Sequence, residues 1–357
     1  MKYWRGYLFA GILFACNWAL ESFAKGHTVL MDMIYPYMTR MMQSFLADWS
    51  GGVSFCLWQA LLLVIVAVVI GSLVLVIIFK WNPIRWFGWV CAGVALVTLL
   101  NTGLFGLNQY SGSLAEDIRL EETDYTVTEL ENAAAYYRDQ ANRLSDLMER
   151  DNKGNVVFSD FEILAERAAN GFENLVYEES LAVFAGPMQP VKKLGWTDNY
   201  TDQGITGVTV GLTGEAAVNP KTPSVLLPFA ICQEMAHRMS ILVPKDAAFG
   251  AYMACMANPD PQFQYSGALM GYRYCLKALE EMGRETAVRS QENANVKLDL
   301  MACDKFLNKG EQADADACDL FASWHIQEVV LPSLIEEENP FDPLDKTQVD
   351  LSDHPDA

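Results

Sequence analysis

Gln233, Glu234 and His237 are the residues of this chain best placed to do chemistry. In the pattern H-E-x-x-H, two imidazoles one helical turn apart bind zinc, and the glutamate beside the first takes a proton from the metal-bound water. Here the run is Gln233-Glu234-Met235-Ala236-His237. The base candidate Glu234 and the second ligand position, His237, remain. Gln233 puts an amide oxygen, a harder and weaker donor to zinc, where the first imidazole belongs. A zinc site of this kind needs a third ligand from a following element, and Asp246 is the candidate. Taken alone, so short a pattern is weak evidence for a metal, and a buried histidine bonded to a carboxylate is the plainer explanation.

The elements that must position these residues can be read around them. Pro228 suits the first turn of a helix, predicting a motif helix that runs to about Leu242 and is broken by Pro244. Helices are expected at Asp246–Ala257 and Tyr265–Met282, separated by the turn Asn258-Pro259-Asp260-Pro261. Ahead of the motif, Ile205–Val210 is rich in β-branched residues and predicts a short strand. Glu215 and Asn219 follow in a segment bounded by Gly211 and Gly214. A strand there could take an extended peptide by β-addition, making Glu215 and Asn219 candidate substrate-binding residues. The plainer alternative is that the glycines make turns and Glu215 is solvated.

Further upstream, Thr126-Val127-Thr128-Glu129 is a capping-box pattern that opens a helix expected to reach Glu149. Asp151-Asn152-Lys153-Gly154 is a turn rather than a calcium loop, because Lys153 stands where an oxygen ligand is needed. Ser159 is expected to cap a helix ending near Tyr177. Asp299–Leu307 and Cys318–Ile335 are expected to be helical. From Glu336 the chain is acidic and Pro-containing, which predicts disorder.

Charge is distributed very unevenly. Of 25 basic and 45 acidic residues, six and three lie before residue 106, leaving 19 and 42 after it. An almost uncharged, apolar first third followed by an acidic remainder predicts a membrane anchor joined to a water-exposed domain. The acidic balance excludes nucleic-acid binding, which needs a basic footprint. Phe55–Phe79 contains no charged residue and exceeds the ~20 residues a spanning helix needs. Trp86–Leu107 is a second span, with Trp86 and Trp89 as interfacial anchors. Gly6–Leu20 is a shorter third, and Lys2 and Arg5 ahead of it leave open a signal peptide. Lys2, Arg5, Lys80 and Arg85 belong on the cytoplasmic side, so Lys25–Ser54 and everything after Leu107 are expected outside. Five cysteines fall in the outer part: Cys232, Cys255, Cys275, Cys303 and Cys318. Being odd in number they cannot all pair; either Cys303 and Cys318 form a bridge or all five are buried thiols.

The chain resembles a family of bacterial membrane proteins of unknown function, in which three N-terminal spans precede an extracytoplasmic domain with a zincin-like H-E-x-A-H helix. The resemblance rests on Ile34-Tyr35-Pro36, Phe105-Gly106-Leu107-Asn108, Ile205-Thr206-Gly207, Thr213-Gly214-Glu215-Ala216 and Val218-Asn219. It continues in Leu227-Pro228-Phe229, the motif itself, Ala247 with Phe249, and Tyr265-Ser266-Gly267. It implies that Gln233 and His237 stand at the first two metal ligands, Glu234 at the general base, and Asp246 where a glutamate third ligand is expected. The chain departs from the family pattern at Met239, Val243-Pro244-Lys245 and Ala248, all close to that site.

The expected protein is thus membrane-anchored. Residues 1–110 form a three-helix transmembrane anchor, residues 111–335 a mainly α (α+β) zincin-like extracytoplasmic domain, and residues 336–357 a disordered tail. It would act as a metallopeptidase-like protein with a degenerate metal site, serving as a non-catalytic binding or regulatory module. The alternative is an active divalent-metal-dependent peptidase with Glu234 as base. Zinc or another divalent ion, or none, would be held. The partners are the lipid bilayer and an extracytoplasmic peptide or membrane protein.

Overall fold

The computed structural model describes residues 4–308 and 317–332. The acidic stretch between Cys303 and Cys318, the tail from Glu336, and Lys2 lie outside the described residues.

Four long helices come first: α1 (Arg5–Gly26), α2 (Thr28–Gly51), α3 (Leu57–Ile78) and α4 (Pro83–Leu104). Helices α1, α3 and α4 are each long and apolar enough to cross a membrane. α1 extends over 22 residues, past the shorter span expected, because Glu21 and Lys25 lie at its far end. Small residues let α1 and α4 approach closely, as membrane helices commonly do: a Cβ added at Gly6 would lie 2.5 Å from the Gly88 carbonyl carbon. Tyr7 Oη donates to the Ile84 carbonyl (3.0 Å), and Leu20 reaches Gly103 at the other end, so α1 and α4 run parallel. α3 and α4 form a hairpin. They touch near its tip, where Trp86 Nε1 donates to Ser72 Oγ (2.9 Å). Arg5, Lys80 and Arg85 therefore share one end of the bundle.

α2, expected only as an external connection, is a 24-residue helix with Pro36 inside it. It packs on later parts of the chain. Gln43 Nε2 donates to the Gly211 carbonyl (2.8 Å) and Arg40 to the Val183 carbonyl (3.1 Å). The anchor expected to end at residue 110 is therefore not separate from the rest of the chain, because α2 packs as a wall against the segments around residues 183 and 211.

After a 3₁₀ turn at Gly106–Tyr110 come α5 (Leu114–Asp117), α6 (Val127–Ser145) and α7 (Phe161–Tyr177). The capping box of Thr126 and Glu129 is formed. The turn at Asp151–Gly154 is closed by backbone amides bonded to Asp151. β1 (Lys192–Lys193), β2 (Gly207–Val210) and β3 (Glu215–Val218) make one sheet in the order β1-β3-β2. β3 is central, parallel to β1 and antiparallel to β2. α8 (Thr197–Asp202) lies between β1 and β2. The remainder is helical: α9 (Leu227–Arg238), α10 (Pro244–Ala257), α11 (Pro261–Glu281), α12 (Thr286–Arg289), α13 (Ala294–Leu307) and α14 (Cys318–Trp324). Pro228, Pro244 and Pro261 each sit in the first turn of their helix, where a missing N–H costs nothing.

One core of buried apolar residues joins α6, α7, α9, α10, α11, α13 and α14. Tyr137, Tyr252, Phe249 and Phe321 meet there edge to face. The five cysteines after residue 110 are all buried and free. The bridge between Cys303 and Cys318 is not formed: Cys318 lies instead beside Cys275 and Tyr125.

Candidate functional site

α9 carries the motif and the sheet closes over it. Gln233 and His237 are partly exposed on one face, and Glu234 is buried at 5% exposure. All three line a cavity of about 820 Å³ together with residues 203–209, Phe105, Lys245 and Ala248.

Glu234 is held by β2. Thr209 Oγ1 donates to Glu234 Oε2 (2.7 Å), and Gly207 lies directly against the side chain. A Cβ at residue 207 would stand 2.4 Å from Glu234 Cγ and 2.6 Å from its Oε1, so only glycine allows this approach. Burial raises the Glu234 carboxyl to about 7, and the Thr209 hydroxyl bond offsets part of that rise. A carboxyl near neutrality is suited to proton transfer or to donating a hydrogen bond. The motif gives no hint of Thr209. Gly207 stands in the Ile205-Thr206-Gly207 match, and strand alternation puts Thr209 on the same face.

His237 Nδ1 donates to the Ile241 carbonyl (2.8 Å). Desolvation pulls its ring below the usual value despite that bond, so at neutral pH the imidazole is neutral with Nε2 as the free lone pair. A fixed ring of this kind is how a metal-binding histidine is oriented, and equally how one is oriented to accept from an amide. α9 ends at Arg238 rather than near Leu242, and Ser240 adopts a left-handed φ of 76°. The buried Arg238 guanidinium donates to the carbonyls of Pro187 and Gln189, which pins this end of the helix. Desolvation pulls it down to about 10.

The expected third ligand is elsewhere. Asp246 accepts from Leu114 N (3.1 Å) and lines a separate polar cavity of about 210 Å³ with Asp32, Arg40 and Asp117. Ala248, not Asp246, is the small α10 residue that faces Gln233 and His237. Among the described residues no three His, Cys, Asp or Glu side chains are grouped to hold a metal ion. Lys245, on the wall of the larger cavity, adds a positive charge. A zinc ion held jointly by Gln233, His237 and Asp246 does not fit this arrangement.

Glu215 and Asn219, expected to touch substrate, are engaged internally. Glu215 is 1% exposed. Its carboxylate accepts from the backbone N–H of Leu57 (2.7 Å) and Trp58 (2.8 Å) and from Lys192 Nζ (2.6 Å). It therefore caps α3 from across the chain, satisfying amides a helix start leaves unpaired. It is neither a substrate contact nor solvated. Asn219 donates to Thr201 Oγ1 (2.9 Å) and the Ile205 carbonyl (3.2 Å), and accepts from Lys221 N (3.0 Å), which shapes the loop before β2.

β3 is paired on both sides, which leaves β1 and β2 as the two edge strands; of these, β2 is the one that borders the large cavity. Asn219 N donates to the Thr206 carbonyl (2.7 Å). By alternation Val208 and Val210 also bond to β3, and Gly207 and Thr209 turn their backbone N–H and C=O to the open edge.

Fold and cavity together define a mostly helical protein with three candidate membrane spans and a polar trio on a buried helix. The chain belongs to the family described as protein of unknown function (DUF3810), which matches residues 31–323. No curated protein and no solved structure matches the chain.

Proposed function

We propose that this protein is a membrane-anchored, extracytoplasmic binding module. In this reading its metallopeptidase-like helix has a degenerate metal site, and an extended peptide adds to the open edge of β2. The observation that supports this most directly is that an unpaired strand edge and the trio Gln233, Glu234 and His237 border the same cavity. Main-chain bonds to Gly207 and Thr209 would supply affinity, as strand addition does elsewhere. The Gln233 amide, the Glu234 carboxyl and His237 Nε2 would then read one or two side chains or amides of the guest. The shared end of Arg5, Lys80 and Arg85 supports placing this domain outside the cytoplasm.

The test is selection of peptides from a displayed library on the full-length protein in nanodiscs, followed by amide hydrogen exchange. Bound peptide should protect the Gly207 and Thr209 amides. Peptides that bind without protecting them, or a library that yields none, would overturn this reading.

A second reading, an active peptidase with Glu234 as base, is favoured by the carboxyl near 7 beside a neutral imidazole. It requires hydrolysis of a selected peptide that is abolished in Glu234→Gln.

A further inference from the structure

We propose that α2 is an in-plane membrane helix, embedded in the leaflet on the side of the outer domain with its apolar face against lipid. The occupant of that face is the bilayer itself.

α2 is amphipathic in the reverse sense for a water-exposed protein. Its polar side chains point inward: Thr39, Arg40, Gln43 and Ser50 are all buried. Arg40 and Gln43 bond to outer-domain carbonyls, Thr39 Oγ1 lies 2.9 Å from Ser240 Oγ, and Lys192 Nζ donates to the Ser50 carbonyl. The outward side carries Met33 (67% exposed), Tyr37 (63%), Met41 (71%), Phe45 (67%) and Trp49 (64%), with Val29, Leu30, Ile34 and Met38. The two acids of α2 are tied to the protein: Asp32 accepts from Gly112 N (3.0 Å) and Asp48 from Gln189. Both acids are exposed and lie toward the two ends of α2; between them the only charged residue is Arg40, which is buried. So large a contiguous apolar surface marks contact with a membrane or another protein.

Connectivity selects the membrane. α1 is parallel to α4 and α3 is antiparallel to it, so α1 ends and α3 begins on the same side of the bundle. α2 joins those two points. One residue, His27, separates it from α1, and residues 52–56 separate it from α3. A helix of 24 residues is about 36 Å long, and both ends are held where spans leave the membrane. Tyr35 Oη donates to the carbonyls of Thr102 (3.1 Å) and Gly103 (3.0 Å), which ties the first half of α2 to the outer end of α4. The surface exposed by α2 thus continues the apolar surface of the spans. Tyr37 and Trp49 are the amphipathic rings that settle at headgroup level, and the remainder is the apolar face of an interfacial helix. The Gly211 turn bonded to Gln43 also packs on Phe105, a residue lining the large cavity, so that cavity lies close to the bilayer surface.

The experiment is nitroxide depth measurement on full-length protein in phosphatidylcholine–phosphatidylglycerol nanodiscs. Cys16 and Cys91 are replaced by alanine, and one label is placed at a time through Met41→Cys or Phe45→Cys. Ile77→Cys marks the span and Leu147→Cys, 65% exposed on the outer domain, marks water. Labels at 41 and 45 should collide with oxygen in preference to a water-soluble nickel chelate, with a ratio several-fold above that at 147. A ratio equal to that at 147 would put the face in water. Low collision with both reagents would mean that a second copy or another protein covers it. Either result overturns the proposal.

Discussion

Replacing Glu234 by glutamine should make the protein more stable at pH 8 than at pH 5, relative to the parent. The side chain is buried, and its carboxyl rises from 4.5 to about 7. At about 1.36 kcal/mol per pH unit, ionising it in the fold costs roughly 3 kcal/mol more than in the unfolded chain. The folded value is the higher one. Its contribution is therefore greatest below pH 4.5, declines as pH rises through about 7, and is constant above that. Glutamine has nearly the shape of the protonated acid and can still accept from Thr209, so parent and variant should be close at pH 5. At pH 8 the variant should gain up to about 3 kcal/mol, which is roughly 6–12 °C in melting temperature for a domain of this size. The assay is thermal unfolding of both proteins in nanodiscs at the two pH values, where effects of all other groups cancel in the difference. A gap of the same size at pH 5 and pH 8 would refute the argument. The carboxyl would then be solvated or cation-bound, and a metal reading would regain force.

Other outcomes rest on the same geometry. Gly207→Ala should drive β2 from Glu234 and loosen its pairing with β3, read as faster hydrogen exchange at the Val208 and Val210 amides with α9 unchanged; parent-like rates would show that the close approach relaxes freely. Glu215→Ala leaves Lys192 unpaired and the first amides of α3 uncapped, at a cost of about 3–5 kcal/mol for a broken buried pair. Exchange at Leu57 and Trp58 should accelerate, and unchanged rates there would contradict the cap. Gln233→His should create measurable zinc binding in a titration followed by elemental analysis, because two imidazoles then lie one turn apart. Adding Asp246→Glu should not tighten it, since that carboxyl faces the other cavity; a large gain from the second change would show that α10 can turn.

Local features were the legible ones in the sequence. Pro228 marks a helix start as expected, while Pro244 and Pro261, read as a breaker and a turn, also open their helices; Thr126 and Glu129 make the expected box, and uncharged runs locate the candidate spans. α2 escapes such a reading for a physical reason. Thr39, Arg40, Gln43 and Ser50 face protein while most of its methionines and aromatics face outward, so the usual rule for which side is core gives the wrong side, and Pro36 further suggests a loop. The role of Glu215 is hidden because its partners, Leu57 and Trp58, are remote in sequence. That of Asp246 is hidden because spacing from His237 says nothing about direction. The left-handed Ser240 and the start of α10 at Pro244 turn Asp246 toward Leu114. The pair on α9 is legible because one helical turn is the only geometry it needs.

The energetics of Glu234 bear on what that cavity is for. A buried carboxyl with one hydroxyl bond and, among the described residues, no ion-pair partner costs the fold roughly 3 kcal/mol at neutral pH by the shift above. Its neighbours Met235, Ala236 and Ile231 show that this helix is otherwise apolar and well packed. A methionine or glutamine there would spare that cost. A carboxyl so perturbed beside a cavity is a candidate functional group. The open edge of β2 supplies a natural recipient, because a peptide laid along Gly207 and Thr209 brings its own amides within reach of α9. The acid then exchanges burial without a partner for a hydrogen bond, donated or accepted according to its protonation. On this view the site retains its affinity for a polypeptide after losing the geometry for zinc, and guest binding should raise stability most in the pH range where the empty site is most strained, above about 7.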